Sequence, residues 1–156
     1  MNMSQTVERR DFANLVSLIA AQRDAYAVLL SLSRAQERVF GKGGIRSLMK
    51  VIARKQAVID SLAQLDKSLA PYTGDWRQTL ASLPALARRE IAALVAEITE
   101  TLGALVECER TIAKVVAQAR DETSARIRGL GEGRTAIKAY GQPTLAGAGR
   151  LLDREG

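Results

Sequence analysis

Apolar residues recur at helical spacing along the first third of the chain. Phe12, Leu15, Ile19, Tyr26 and Leu29 follow one another at steps of three, four or seven residues. Such steps place side chains on one face of an α-helix. The stretch "FGKGGI" at 40–45 then supplies glycines, which a helix interior tolerates poorly. The pattern therefore predicts a first helix over about residues 5–38, followed by a turn.

A second segment repeats the pattern over residues 45–70. Its predicted apolar stripe consists of Ile45, Leu48, Ile52, Ile59, Leu62 and Leu69. Pro71 and Gly74 mark its end, because neither residue favours a continuing helix. The connection up to Ser82 has room for only one or two helical turns, and we expect its Trp76 to cover one end of the helices.

The third segment, about residues 83–128, carries the longest pattern. Ser82 suits an N-cap and Pro84 suits a first turn. Two interleaved series then repeat every seventh residue: Ile91, Ile98, Leu105, Ile112 and Ala119, with Leu94, Thr101, Cys108 and Val115 between them. This heptad pattern is typical of coiled-coil packing and predicts a helix of about 65 to 70 Å at 1.5 Å per residue.

These segments together predict an all-α protein, an elongated antiparallel three-helix bundle over residues 1–129. Six of the twelve glycines crowd into the stretch from Gly129 to Gly149. We therefore expect the third helix to end near residue 128, with glycines 129, 131 and 133 forming a hinge. Residues 130–156 are predicted to be a flexible segment with a short amphipathic helix around 132–140.

Composition supports a helical, water-soluble chain. Apolar residues make up 47% of the sequence but aromatic residues only 4%, so the core must be built from aliphatic side chains. No run of about 18 apolar residues lacks a charge, and the N-terminus mixes acidic and basic residues. We expect a cytoplasmic protein that does not insert into a membrane.

Residues that carry enzyme chemistry are scarce. Histidine, the commonest general base and metal ligand, is absent. Cys108 lies on the apolar seam, where a thiol packs as a small hydrophobe, and Glu97 and Glu100 lack the histidines of helical di-metal sites. The glycine clusters lack the spacing and the preceding strand of phosphate-binding loops. The sequence thus predicts no catalytic residue, metal or cofactor.

Positive charge is concentrated in the first half of the chain. Residues 1–70 carry 11 Lys and Arg against 6 Asp and Glu. Six cations recur every fourth residue and form what we name the basic ridge: Arg34, Arg38, Lys42, Arg46, Lys50 and Arg54. A solvated face is the simple interpretation, with an anionic partner as the alternative. No aromatic residue alternates with the ridge for base stacking, and we expect its helices to leave no apolar face for lipid.

One cation falls on an apolar stripe. Lys55 occupies a position of the second helix where the spacing predicts an apolar residue. We expect its stem to pack on the bundle and its ammonium to reach solvent. Polarity that sets the helix register is the alternative.

Two motifs resemble the FlgN-type flagellar export chaperones. "RKQAVIDSLAQLDKSL" at 54–69 is similar to that family's Lys-x-x-hydrophobic-hydrophobic-x-x-Leu segment. "GEGRTAIKAYG" at 131–141 and "LLDREG" at 151–156 look like its C-terminal end. The basic first half departs from the family, many of whose members are rich in Glu there.

The resemblance implies a non-enzymatic chaperone of the hook-associated (hook–filament junction) proteins, with export apparatus components as further partners. In that family the C-terminal part binds the client. Carried onto this chain, the client-binding residues are Arg134, Ala136, Ile137, Ala139, Tyr140, Leu151, Leu152 and Asp153.

The C-terminal spacing agrees with this role. Leu130, Gly133 and Ile137 follow at steps of three and four, and Tyr140 lies three residues beyond Ile137. That stripe is too short to fold alone, whereas helix-in-groove recognition uses such anchors. The alternative is that Tyr140, Leu151 and Leu152 fold back onto the end of the bundle.

Two other functions remain open on the sequence. A small basic helical protein could bind nucleic acid through the basic ridge, which the missing aromatic residues disfavour. A structural coiled-coil adaptor would instead self-associate through its heptads.

Overall fold

Four α-helices account for the regular structure of this protein. The computed structural model describes residues 3–139, with side-chain burial described over 9–135. The helices are α1 Met3–Val39, α2 Ile45–Thr73, α3 Trp76–Ser82 and α4 Ala85–Ala139. No strand occurs within residues 3–139, so the all-α prediction is confirmed there. The elongated three-helix arrangement stays a prediction.

The turn between α1 and α2 depends on glycine. The Gly43 amide donates to the Val39 carbonyl at 2.8 Å and closes the end of α1. Gly41 has a φ of 83°, in the left-handed region that glycine adopts without a steric penalty. Three side-chain hydrogen bonds join α1 to α2: Asn14 donates to Tyr72, Gln22 donates to Asp66, and Gln36 accepts from Lys55. Because the residue numbers fall along α2 as they rise along α1, the two helices run antiparallel.

In the structure, α2 ends and α4 begins a few residues later than the sequence predicts. α2 continues through Pro71 to Thr73, because a proline near the last turn removes only one amide donor. α3 is the short helix that the connection allowed, and the Asp75 carboxylate caps it by accepting from the Gln78 amide at 3.2 Å. Ser82 is not the N-cap of α4: its hydroxyl donates to the Thr79 carbonyl, and α4 begins at Ala85.

α4 departs most from the sequence prediction. It runs without interruption to Ala139 through glycines 129, 131 and 133, so the predicted end near residue 128 is wrong. Glycine lowers helix stability by only about 1 kcal/mol per residue relative to alanine, which leaves a helix possible. The glycines are therefore helical positions and do not form a break in the backbone.

The chain divides into two compact units, residues 1–112 and 113–156. The core of the first unit draws on α1, α2 and α4. One cluster consists of Leu15, Ile19, Leu69, Leu83, Ile91, Leu94 and Ile98, with Trp76 packed against it. A second consists of Leu29, Leu62 and Leu105. The seam residues predicted on α4 are buried as far as Ile112, except for the half-buried Thr101.

By length and composition alone, the part of α1 from Arg9 to Val39 is long and apolar enough to span a membrane. The core helix of a soluble protein meets the same two criteria. Three large apolar residues of this segment, Leu15, Ile19 and Leu29, are buried against side chains of other helices. Arg23 and Asp24 interrupt it near its middle and form an ion pair at 3.0 Å.

Candidate functional site

The last turns of α4 hold half of the predicted client-binding residues. Arg134, Ala136, Ile137 and Ala139 all lie within α4. Arg134 is half-buried and engaged in an interaction. Tyr140, Leu151, Leu152 and Asp153 lie outside the described residues. The structure thus gathers four of the eight residues on one helix.

The helix before these residues exposes apolar side chains. Between residues 113 and 135 no side chain is buried. Ile127 is 59% exposed and Leu130 is 65% exposed, one helical turn apart. Seven residues beyond each lie Arg134 and Ile137, a step that returns to nearly the same face of a helix. Sequence reasoning missed Ile127, because the assumed helix end at residue 128 separated it from the C-terminal stripe.

The glycines of this part of α4 leave its surface open. A methyl group built on Gly129, Gly131 or Gly133 would meet nothing within 4 Å. The Thr135 hydroxyl donates to the Gly131 carbonyl at 3.0 Å, a bond within the helix. Gly129 and Gly133 lie four residues apart on one face of α4, which a partner backbone can therefore approach closely.

A polar network joins α1, α2 and α4 inside the first unit. The Lys55 ammonium donates to Glu109 Oε1 and to Gln36 Oε1, both at 2.6 Å. The hydroxyl of Ser33, which is fully buried, donates to the same Glu109 oxygen at 2.6 Å. The side chain of Lys55 is 13% exposed, so the expected route of its ammonium to solvent is wrong. Its charge is neutralised by Glu109.

The network lowers the pKa of Glu109. Burial alone would raise that pKa, because it disfavours the charged carboxylate. The hydrogen bonds from Lys55 and Ser33, together with the Lys55 charge, outweigh burial and hold the pKa below its usual value. Glu109 is therefore held as the anion that the buried ammonium needs.

Cys108 is part of the core, as its seam position predicts. It is 8% exposed, and its thiol contacts Glu37 Oε2 at 3.5 Å. Burial, followed by the hydrogen bond to Glu37, raises the thiol pKa. A raised pKa disfavours the thiolate that a nucleophile needs.

The basic ridge lies beside apolar residues that the core does not use. All six ridge cations are exposed. On α2, four large apolar side chains face solvent and form what we name the α2 apolar row: Ile45, Met49, Ile52 and Ile59. The sequence assigned Ile45, Ile52 and Ile59 to the core and left no free apolar face, and both predictions are wrong. Of the predicted stripe, only Leu62 and Leu69 are buried. The core face of α2 also includes the side chain of Lys55.

The family comparison covers nearly the whole described chain. Residues 3–146 match the family model described as FlgN protein. The chain belongs to the FlgN family. FlgN proteins are flagellar export chaperones, so this chain has a chaperone role in flagellum assembly and export. No curated protein and no solved structure matches the chain.

The extent of the FlgN match bears on the candidate site. It includes all four helices and the positions Arg134, Ala136, Ile137, Ala139 and Tyr140. It ends before Leu151, Leu152 and Asp153. The first group of candidate residues thus belongs to the part of the chain that the family model covers.

Proposed function

We propose that this FlgN chain is a cytoplasmic, non-enzymatic chaperone that binds hook-associated proteins before their export. Its client site is the C-terminal segment 130–156, with the helical residues Arg134, Ala136, Ile137 and Ala139 continuing into Tyr140 and the Leu151–Asp153 stretch. The exposed Leu130, in a helix that buries no side chain over residues 113–135, is the observation that supports this most. Helices in proteins gain most of their stability from packing an apolar face, and residues 113–135 of α4 bury no side chain in this way.

Masking is the mechanism that fits a helical site. The client's assembly segments are themselves helical, and an apolar stripe on α4 binds such a helix through anchors at i, i+3 and i+7. Because α4 is already helical as far as Ala139, residues 130–139 do not need to fold on binding. This lowers the entropy cost expected for a segment that folds with its partner. Client binding then stays reversible, so the client can be handed over at the export apparatus. That apparatus is a further partner in this proposal.

The first unit acts as the scaffold in this proposal. We infer that α1, α2 and the first part of α4 form a three-helix bundle. Two polar contacts support a parallel path of α4 along α1: Arg23 reaches Glu97 at 3.5 Å, and Ser33 reaches Glu109. No step of this function requires a metal or cofactor.

A truncation tests the site directly. Deleting residues 130–156 removes no buried side chain among residues 130–135, the part of the segment whose burial the structure describes. Thermal stability should change little while client binding is lost. Binding of purified hook-associated proteins is measured by calorimetry. Unchanged affinity of the truncated chain would contradict the site.

Point variants in the full chain locate the anchors. Leu130→Ser should weaken client binding about tenfold, the effect of losing one well-packed apolar anchor. Val106→Ser is the matched control, because Val106 is 48% exposed on α4 but lies in the first unit. Equal losses from both variants would mean that the C-terminal part of α4 is not the specific site.

A further inference from the structure

The surface at the turn between α1 and α2 has features that the C-terminal site does not use. It combines the basic ridge with the α2 apolar row. Ile45 is 76% exposed, Met49 60%, Ile52 42% and Ile59 44%. Folding leaves these large side chains in water, although burying each one is worth about 1.5 to 3 kcal/mol. Contiguous exposed apolar groups of this kind mark interaction sites.

The spacing of the apolar row suits a helix as the partner. Its members follow at steps of four, three and seven residues, which keeps them on one face of α2. From Ile45 to Ile59 the row extends about 21 Å at 1.5 Å per residue. That is the length of about four helical turns, the size of contact made by a helix lying in a groove.

Charge restricts what kind of helix fits. Between residues 34 and 54 the chain has six cations and one carboxylate, that of Glu37. Within the described part of the chain, none of the six ridge cations forms a salt bridge. A second copy of this chain would bring one basic ridge against another, which like charges disfavour. A partner rich in Asp and Glu would instead neutralise it.

We propose that the basic ridge and the α2 apolar row bind an acidic amphipathic helix of a second protein. Apolar side chains of that helix pack along the row from Ile45 to Ile59, and its carboxylates face Arg46, Lys50 and Arg54. This site draws on α1, the glycine turn and α2, and it shares no residue with the client-binding segment at 130–156. Its existence does not depend on which protein the C-terminal segment binds.

Two other anionic partners explain less of the surface. A nucleic acid would use the cations, but its phosphates have no use for an apolar row. A lipid surface would use both, yet Ile52 and Ile59 are less than half exposed. Because the protein covers more than half of each of these side chains, a helix packed into the grooves between side chains can contact them. They are poorly placed to enter a flat bilayer.

A pair of synthetic peptides tests the proposal on the full chain. Both carry leucines at the spacing of the apolar row on a helix-stabilised backbone, with Glu flanking the leucines in one and Lys in the other. Fluorescence anisotropy should show binding of the Glu peptide only. Its affinity should fall as salt rises from about 50 to 200 mM, because the charged contacts are exposed.

Variants locate the binding. Met49→Ser should lower the affinity for the Glu peptide about tenfold. The double variant Arg46→Gln with Lys50→Gln should lower that affinity several-fold and reduce its salt dependence. Leu86→Ser and Arg88→Gln with Arg89→Gln are the matched controls on α4, where Leu86 is 71% exposed beside exposed arginines. The controls should bind like the wild type. Circular dichroism confirms that every variant remains folded.

Several results would overturn the proposal. Absent binding of the Glu peptide, equal binding of the Lys peptide, or unchanged binding by the Met49 variant each contradicts it. Vesicles containing phosphatidylserine and a DNA duplex are tested in parallel. If either binds through Met49 and Lys50 more tightly than the Glu peptide does, the surface serves that ligand and the proposed helix is wrong.

Discussion

At the scale of single residues, Lys55 and Glu109 form the contact that apolar spacing could not predict. The helical spacing on α2 correctly places Lys55 at a covered position. It cannot indicate a partner 54 residues away on α4. Burying an ammonium is unfavourable unless a carboxylate and hydrogen bonds compensate, and Glu109 and Gln36 provide them, with Ser33 donating to Glu109 in turn.

Removing one member of this network should destabilise the protein. Lys55→Met leaves Glu109 and Gln36 without their ammonium donor, and Glu109 without its neutralising charge. We expect a loss of about 1 to 2 kcal/mol in the free energy of unfolding. The Glu109 side chain is 44% exposed, so solvent reduces the effect below that of a fully buried pair. Adding Glu109→Leu to Lys55→Met should recover part of the loss. Urea unfolding measures both, and a double variant less stable than Lys55→Met would contradict the pairing.

The same network makes stability depend on pH. The pKa of Glu109 is lower in the folded than in the unfolded chain, so its contribution is present above the unfolded-state pKa. That contribution is lost as pH falls through the folded-state pKa. The stability difference between the wild type and Glu109→Gln should therefore be largest near neutrality and shrink in acid. Glu107→Gln is the control, since Glu107 is 73% exposed, and its effect should stay small throughout.

At the scale of helices, sequence patterns predict where elements lie better than which faces they bury. The glycine turn, the short helix at Trp76 and the heptad seam up to Ile112 all follow from local rules. On α2, Ile45, Ile52 and Ile59 share the helical spacing of Leu62 and Leu69. The sequence pattern therefore predicts one apolar face where the structure has two. Spacing alone identifies a face, and only the neighbouring helices decide whether it is covered.

Glycine clusters do not always mark helix ends. Gly41 does end a helix, because a φ of 83° is strained for other residues. Gly131 does not, because it keeps helical geometry within α4. Composition is similar at both places. The difference lies in the backbone conformation, which the surrounding chain determines.

Two glycines of the same turn provide a matched test. Gly41→Ala should destabilise the protein by about 1 to 2 kcal/mol, since a side chain there disfavours the left-handed conformation although nothing lies within 4 Å. Gly44 has equal space but an extended conformation at the N-cap of α2, with no side-chain cap. Gly44→Ser should stabilise the protein by up to about 1 kcal/mol by adding that cap. Thermal unfolding measures both, and equal effects would show that backbone conformation does not distinguish the two sites.

At the scale of the whole molecule, the large buried residues all belong to one unit. Over the part of the chain with described side chains, burial of large apolar groups ends at Ile112. The boundary between the two compact units lies at the same residue. Residues 1–112 therefore supply the described core, and the proposed client site lies in the other unit.

This division predicts how fragments behave. A fragment of residues 1–112 keeps both core clusters and the Lys55–Glu109 network, so it should unfold cooperatively with a Tm close to that of the full chain. A fragment ending at residue 100 loses Leu105, Cys108, Glu109 and Ile112. Leu105 alone is worth about 2 to 5 kcal/mol by the measure of core truncations, and Lys55 would lose its carboxylate. The shorter fragment should therefore be largely unfolded by circular dichroism. A 1–112 fragment that melts far below the full chain would show that residues 113–156 also stabilise the fold, and the separation of scaffold from client segment would be wrong.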